Sequence, residues 1–188
     1  GWGTSTRICD VVAAALVDAG HGVLAFDQRG CGRSDKDFSE ISIEAGGRDL
    51  VALAEHLDLA QLVLCGWSIG AAISMASVTG LGSRCIGLLS SCGATPRFTA
   101  RDDMPGAAPG SAAAMVMQLR ADRFNFLAWM AENSVARDVG APALERMRST
   151  FALNAPSADA ALLDLDELDQ RAILRNLPVP FLAIAGAK

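Results

Sequence analysis

Ser68 stands at the centre of a Gly-x-Ser-x-Gly pattern, between Gly66 and Gly70. Residues 62–65 before it are apolar without a break, as in a buried strand, and residues 71–73 after it begin an apolar helix. A strand-to-helix turn this sharp holds its central serine in a strained backbone conformation and projects the hydroxyl from the sheet's edge. The pattern therefore predicts that Ser68 is a nucleophile. The alternative that the spacing alone leaves open is a glycine-rich turn with an incidental serine.

A serine hydroxyl is a weak nucleophile until a base removes its proton, so this chemistry requires a histidine that a carboxylate orients. The sequence contains two histidines, His21 and His56, and both precede Ser68. Nucleophilic turns of this kind take their partners in the order Ser, Asp or Glu, His. We therefore expect both histidines to be surface or loop residues and not the base.

Two glycine-containing segments do not predict nucleotide binding. Gly30-Cys31-Gly32 lacks the third glycine of a dinucleotide fingerprint, and residues 66–70 lack the Gly-Lys-Ser/Thr ending of a P-loop. Five cysteines are scattered without a Cys-x-x-Cys pair, which favours free thiols in a reducing compartment and hence the cytoplasm. Cys92 has no activating group nearby in sequence, so we expect an inert or buried thiol. No cofactor and no metal are expected.

The composition indicates one globular protein with a sizeable core, since 51% of the 188 residues are hydrophobic and 20% are charged. The formal net charge of -5, without any block of Lys or Arg, argues against nucleic acid or an anionic membrane as a partner. No apolar run reaches the ~18 residues that a membrane span needs, and no signal-peptide pattern is present.

Stepping outward from Ser68, hydrophobic periodicity predicts alternating helices and strands over the first half of the chain. Helices are predicted at 6–19, 42–57 (with Ser42 as N-cap) and 69–79, and strands at 22–26, 62–64 and 86–90. Such alternation is typical of a parallel sheet with crossover helices.

The pattern changes after residue 96. No convincing strand is predicted from 97 to 170, where helices are expected at 112–120, 122–133, 141–151 and 158–168, and a strand returns at 179–185. We interpret 1–96 as the first part of a core, 97–170 as a helical lid insert, and 171–188 as the return to the core. Three acidic residues in the insert are expected to form a solvated helix face: Asp164, Asp166 and Asp169.

Four features in the right order resemble the α/β-hydrolase fold. Gly1-Trp2-Gly3 is similar to the tail of that family's His-Gly-Trp-Gly loop, and residues 27–34 are similar to its Asp-x-Arg-Gly-x-Gly-x-Ser turn. Residues 66–70 resemble its nucleophile elbow, and 97–170 occupy the position of its lid. The resemblance implies a mainly parallel sheet with helices on both faces and a helical lid, in a chain truncated at both ends.

The resemblance also implies a serine hydrolase that cleaves a carboxylic ester through an acyl-enzyme on Ser68. The oxyanion hole would use the backbone N–H of Ile69, which follows the nucleophile, and by resemblance that of Trp2. The family's acid usually follows the strand that matches residues 181–185, and its histidine comes later still. We therefore expect both to lie outside these 188 residues, and the chain by itself to have little or no turnover.

Within the family, residues 91–106 are similar to the segment that leads into the lid of pimeloyl-[acyl-carrier protein] methyl ester esterases. The stretch Phe126-Leu127-Ala128-Trp129-Met130 is similar to the part of their lid that lines the substrate pocket. This implies a small-molecule or acyl-carrier-bound ester as substrate. Ordinary helix packing explains the same apolar residues equally well, and a mixed-charge surface is the alternative to a carrier-docking role for Arg97, Arg101, Arg120 and Arg123.

Two other functions remain open at this point. The same scaffold supports perhydrolysis, lactone opening and hydrolysis of carbon–carbon bonds, and the fold does not decide among them. From another class, the chain could be a non-catalytic binding module or a fragment without the triad acid and base.

Overall fold

The computed structural model describes residues 1–102 and 104–186, so Asp103 and the last two residues of the predicted segment 171–188 lie outside the described residues. In the described part, the strands are β1 (Leu62–Trp67), β2 (Cys85–Ser91) and β3 (Phe181–Ile184). The α-helices are α1 (Asp10–Asp18), α2 (Ile43–His56), α3 (Ile69–Leu81), α4 (Ser111–Ala121), α5 (Arg123–Asn133), α6 (Ala141–Phe151), α7 (Ala160–Glu167) and α8 (Arg171–Arg175).

The described residues form two compact units. The first, here called the sheet unit, comprises Gly1–Trp2, Glu40–Val116 and the residues from Ala160 on, and it contains the three strands. The second, here called the helical unit, comprises Gly3–Ser39 and Met117–Asp159 and contains α1, α5 and α6. The boundaries of the insert after residues 96 and 170 stay a prediction.

The three strands pair in parallel, in the order β1, β2, β3. Leu64 pairs with Leu88, and Leu88 pairs with Phe181. On one face of this sheet α3 packs against β1 and β2, and α2 packs against α3. Leu64, Leu88 and Met75 of α3 are fully buried in the resulting core. The predicted parallel α/β arrangement is confirmed.

Two adjacent glycines allow α2 to lie close to α3. A Cβ added to Gly46 would lie 3.0 Å from Cδ1 of Ile73, and one added to Gly47 would lie 3.1 Å from Cβ of Ala76. A side chain at either position would require its neighbour on α3 to shift by a few tenths of an ångström.

Among the described residues, the other face of the sheet is largely exposed, which differs from the sequence prediction. A continuous apolar run favours a strand that is buried on both faces. Instead, Val63, Leu182 and Ile184 share the face opposite Leu64 and are 61%, 57% and 50% exposed.

The predicted strand at 22–26 is wrong, because residues 21–28 have no regular secondary structure. A strand is stable only when its backbone pairs with a neighbour, and Val23 and Leu24 are exposed. The predicted helix 6–19 is present as a 3-10 turn, Thr6–Cys9, followed by α1. None of the residues in that turn or in α1 is buried.

The prediction of a solvated acidic face is wrong for Asp164 and Asp166, whereas Asp169 is exposed. Oδ2 of Asp164 accepts a hydrogen bond from the backbone N–H of Ile43, at 2.7 Å, at the start of α2. Ser42 caps the same helix as predicted, since its Oγ accepts from the N–H of Ala45 at 3.0 Å. Burial raises the pKa of the Asp164 carboxyl, and the bond from Ile43 opposes that rise.

Asp166 has a similar role at the start of α4. Its carboxylate accepts hydrogen bonds from the N–H groups of Ala112, at 3.2 Å, and Ala113, at 3.0 Å. A carboxylate at a helix N-terminus satisfies donors that have no partner within the helix. The Asp166 carbonyl also accepts from Oγ1 of Thr99 at 3.1 Å.

Asp169 pairs with two arginines. Arg171 donates to both of its oxygens, at 2.7–3.2 Å, and Nη1 of Arg97 lies 3.0 Å from its Oδ2, although not aligned as a hydrogen bond. The Arg97 side chain has no exposed surface. The bonds from Arg171 hold the pKa of the Asp169 carboxyl well below its usual range.

We expect Asp169→Asn to lower the melting temperature at pH 7, because it leaves the buried Arg97 guanidinium without its counter-charge. A carboxyl whose pKa is lowered on folding contributes stability above its unfolded pKa of about 4. That contribution is lost as the pH falls through the lower, folded pKa. The difference in melting temperature between the wild type and the variant should therefore begin to shrink below about pH 4 in a thermal-unfolding series, and should vanish only as the pH falls through the lowered, folded pKa.

The matched control is Glu167→Gln. Glu167 pairs with Arg101 at 3.2 Å, but the two side chains are 83% and 48% exposed, so the pair contributes little. Equal destabilisation by the two substitutions at pH 7 would contradict the importance of the Arg97–Asp169 contact.

Candidate active site

Ser68 lies between the end of β1 and the first residue of α3, where its φ and ψ angles are 55° and −126°. Few non-glycine residues adopt a positive φ, and such a conformation costs about 1–3 kcal/mol. A strained residue of this kind persists only where its surroundings determine it. The sharp turn that the sequence predicts around Ser68 is present.

Backbone hydrogen bonds fix Ser68 on both sides. Its N–H donates to the carbonyl of Ser91 at 3.2 Å. Its carbonyl accepts from the N–H of Ala94 at 3.0 Å and from that of Ala71 at 3.0 Å. The loop that follows β2 therefore supports the turn that contains the serine.

Two glycines leave no room for a side chain at this turn. A Cβ added to Gly66 would come closer than 3.0 Å to the backbone of Gly70 and Ala71. A Cβ added to Gly93 would come equally close to Oγ of Ser90 and Cβ of Ala71. The first glycine of the Gly-x-Ser-x-Gly pattern is thus required by close backbone approach.

The two predicted oxyanion-hole residues both belong to the sheet unit. Ile69 is the first residue of α3, so its N–H has no acceptor within that helix. Trp2 is 6% exposed. The neighbouring Gly1 lies against the ring of Trp67, because a Cβ on Gly1 would be 2.7 Å from Cε3 of that ring. The loop that contains Trp2 therefore lies beside the residue that precedes Ser68.

The turn at residues 27–34 is rigidly organised within the helical unit. The Asp27 carboxylate accepts from the N–H of Thr6 at 2.5 Å and from that of Arg33 at 2.7 Å. Gly32 has a φ of 50° and lies so close to this carboxylate that a Cβ would overlap it. Nζ of Lys36 donates to three carbonyls of the turn, including that of Gly32 at 2.7 Å. Through the hydrogen bond from Thr6 to Asp27, this turn is joined to the segment that follows Gly3.

His21 and His56 are both exposed, as expected. His56 ends α2 and is separated from Leu62, the first residue of β1, by a short turn. Ser68 follows the other end of β1, and six strand residues span about 20 Å. His56 is therefore at the end of the strand remote from Ser68.

The predicted lid stretch lies on α5 in the helical unit. Phe126 and Leu127 are buried, Ala128 and Met130 are half-buried, and Trp129 is 54% exposed. The rings of Phe126 and Trp129 are 5.5 Å apart. Two of the five residues are thus part of the packing of this unit, while Trp129 presents its ring on the surface of the described chain.

Charge pairing accounts for three of the four arginines that were considered for carrier docking. Arg97 contacts Asp169 and Arg101 contacts Glu167. In the helical unit, Arg123 donates two bonds to the buried carboxylate of Asp159, at 2.8 and 3.1 Å. The exposed pair of Arg101 with Glu167 favours the alternative of a mixed-charge surface. Arg97 fits neither carrier docking nor a solvated surface, because its side chain has no exposed surface.

All five cysteines are free thiols, and Cys92 is exposed. Within residues 1–102 and 104–186, no group of three His, Cys, Asp or Glu side chains could hold a metal ion. None of the helices in the described part of the chain is long and apolar enough to cross a membrane.

A parallel sheet with a strained serine at a strand-to-helix turn defines the class of α/β hydrolases. The chain belongs to this class, because the profile of the "Alpha/beta hydrolase family" matches residues 1–188. The pimeloyl-[acyl-carrier protein] methyl ester esterase of Klebsiella pneumoniae subsp. pneumoniae is 33% identical over 196 residues. That alignment covers 99% of this chain and 72% of the relative.

Solved structures have the same fold at lower identity. An esterase from Exiguobacterium antarcticum superimposes with a TM-score of 0.92 at 22% identity, over 97% of this chain and 69% of its own. A bromoperoxidase from Bacillus anthracis gives 0.90 at 24% identity, over 99% and 71%. One is named an esterase and the other a bromoperoxidase, which illustrates that this fold hosts more than one reaction.

Sequence reasoning missed one residue that contacts the region of the turn. Gln170 is 3% exposed, and its Nε2 donates to the carbonyl of Ala72, at 2.8 Å, in the first turn of α3. In the sequence it lies between two charged residues, Asp169 and Arg171. The two residues of this bond are 98 positions apart, so no local pattern could have revealed it.

Proposed function

We propose that this protein is a serine hydrolase that cleaves a carboxylic ester through an acyl-enzyme on Ser68. The observation that supports it most directly is the strained backbone of Ser68, with φ of 55°, at the start of α3. Its surroundings hold that conformation by hydrogen bonds to Ser91 and Ala94. Membership of the α/β hydrolase family and the esterases among its relatives agree with the proposal.

In the proposed reaction, Oγ of Ser68 attacks the ester carbonyl carbon while a base accepts the hydroxyl proton. The carbonyl oxygen becomes an oxyanion that accepts hydrogen bonds from the backbone N–H groups of Ile69 and Trp2. Collapse of this intermediate releases the alcohol, which takes the proton from the base, and leaves the acyl group on Ser68. Water then hydrolyses the acyl-enzyme by the same steps in reverse.

The base in this proposal is a histidine other than His21 and His56. Both are exposed, and His56 is at the opposite end of β1 from Ser68. The acid is also distinct from Asp164 and Asp166, because their carboxylates accept from helix N-termini. We accordingly propose that residues 1–188 by themselves have little turnover.

For the substrate, we propose a small-molecule or acyl-carrier-bound ester. The relatives at 32–33% identity are named as esterases of pimeloyl-[acyl-carrier protein] methyl ester, which supports an acyl chain of moderate length. Residues 126–130 of α5 are the proposed contacts to that chain, with the exposed ring of Trp129 the most accessible of them. The free thiols agree with the proposed location in the cytoplasm.

The proposal is tested by a panel of p-nitrophenyl esters of short to medium acyl length, assayed beside a lactone and a peracid-forming reaction. The protein is assayed both as its gene encodes it and as residues 1–188. We expect the gene-encoded protein to hydrolyse the esters and to incorporate one fluorophosphonate at Ser68. If the protein hydrolysed none of the esters but turned over the lactone or formed the peracid, the proposed esterase activity would be replaced by that reaction. Absence of labelling as well would favour a non-catalytic binding module.

A further inference from the structure

Gln170 closes a circuit of hydrogen bonds that contains Ser68. Its backbone N–H donates to the carbonyl of Pro96 at 2.8 Å, and its side-chain Nε2 donates to the carbonyl of Ala72 at 2.8 Å. Pro96 is two residues after Ala94, whose N–H donates to the carbonyl of Ser68 at 3.0 Å. Ala72 is four residues after Ser68 and lies in the first turn of α3.

We propose that Gln170 is a positioning residue for the nucleophile, acting through the first turn of α3 and the loop after β2. This inference rests on the proposed role of Ser68. The backbone of Ser68 is strained, so neighbouring contacts must keep it in place. Gln170 joins the two segments that make those contacts. Gln170 and both residues to which it donates, Pro96 and Ala72, lie in the sheet unit.

The side chain of Gln170 is suited to this role because it is buried and directional. The residue is 3% exposed, and its other amide atom, Oε1, has no hydrogen-bond partner among residues 1–102 and 104–186. A buried amide with an unpaired acceptor costs free energy that a purely apolar residue would avoid. A glutamine at this position is explained, despite that cost in free energy, if the hydrogen bond from its Nε2 to the carbonyl of Ala72 is needed.

Two contacts of the residues that precede Gln170 also connect this segment to the loop after β2. Asp169 contacts the buried Arg97, and Asp166 accepts from Thr99. These bonds join residues 166–170 to residues 96–99 even without the side chain of Gln170. Removing that side chain therefore breaks only the hydrogen bond to Ala72 in α3. The backbone hydrogen bond from Gln170 to Pro96 and the contacts of Asp166 and Asp169 remain.

The test is Gln170→Met, which keeps the length and volume of the side chain but removes its donor. The control is Ser77→Ala, since Oγ of the buried Ser77 donates to the carbonyl of Ser74, at 2.8 Å, in the same helix but without a link to the loop after β2. Amide hydrogen exchange is measured at Ser68 and Ala94, with Leu88, whose N–H donates to Pro180, as the reference.

We expect exchange at Ser68 and Ala94 to become about tenfold faster in Gln170→Met, which corresponds to the loss of one hydrogen bond. The rate at Leu88 should stay unchanged, and Ser77→Ala should leave Ser68 and Ala94 at wild-type rates. Wild-type exchange at Ser68 and Ala94 in Gln170→Met would overturn the proposal. Equal acceleration of all three amides, or loss of the folded state, would also overturn it, because Gln170 would then be a general stabilising residue.

A second readout follows ester turnover by the gene-encoded protein. We expect Gln170→Met to lower kcat about tenfold with KM within about twofold, because a positioning residue affects the reacting geometry more than substrate binding. If the wild type has no esterase activity, the proposed function fails, while the exchange measurement still tests the circuit. A fall confined to KM would overturn the positioning role.

Discussion

Ser68→Ala is expected to lower kcat/KM for ester hydrolysis by roughly 10⁴-fold or more. Without Oγ there is no acyl-enzyme, and only the oxyanion hole and substrate binding remain to accelerate the attack of water. Because the substitution removes only a hydroxyl group, we expect the fold to be unchanged. The measurement is ester turnover by the gene-encoded protein, with circular dichroism to verify folding and fluorophosphonate labelling to count active sites.

The controls for this substitution are Ser77→Ala and His56→Ala. Ser77 is a buried serine later in α3, and its hydroxyl donates within the helix. His56 is exposed at the end of α2. We expect both variants to keep ester turnover within about twofold of the wild type, in line with substitutions away from the reacting atoms. If Ser68→Ala retained more than a tenth of the wild-type kcat/KM, the nucleophile would have to be another residue.

The turn around Ser68 could be predicted because its determinants are local. Four consecutive apolar residues, two glycines and the start of a small-residue helix lie within a dozen positions, and β1 and α3 form at these same residues. The cap at Ser42 is local in the same sense, since its acceptor and donor are three residues apart. Parallel pairing followed from the alternation of strands with helices, which leaves few other topologies.

The strand predicted at 22–26 shows the limit of such signals. Its apolar residues are those of a strand, but strand formation depends on a partner from elsewhere in the chain. In the structure, Val23 and Leu24 are exposed and residues 21–28 are irregular. A local pattern can indicate the propensity of a segment without indicating whether its backbone is paired.

The prediction of a solvated face for the acidic residues of α7 fails for a related reason. Asp164 accepts from Ile43, 121 residues earlier, and Asp166 accepts from Ala112, 54 residues earlier. Spacing along one helix describes which side chains share a face, but not which distant helix begins beside it. The same limit hid Gln170, whose partner Ala72 is 98 residues away. In this chain, the contacts that Asp164, Asp166 and Gln170 make with residues distant in sequence are visible only in three dimensions.

Gly66→Ala is expected to destabilise the sheet unit strongly. The added Cβ would come closer than 3.0 Å to backbone atoms of Gly70 and Ala71, which cannot move without displacing the first turn of α3. Such overpacking should lower the free energy of unfolding by about 2–4 kcal/mol in urea titrations. Since Ser68 lies inside the displaced segment, kcat should also fall roughly a hundredfold, the effect expected for a shift of about 1 Å.

Gly87→Ala in the adjacent strand distinguishes this steric effect from a general cost of strand substitution. Gly87 pairs with Val63 of β1, and an added Cβ would lie 3.6 Å from Cγ2 of Val63, an ordinary van der Waals distance. We expect its free energy of unfolding to change by less than about 0.5 kcal/mol, and its kcat to stay within twofold. If the two variants were equally stable and active, the backbone around Ser68 would have to be more deformable than its packing indicates, and the strain at φ of 55° would then not depend on Gly66.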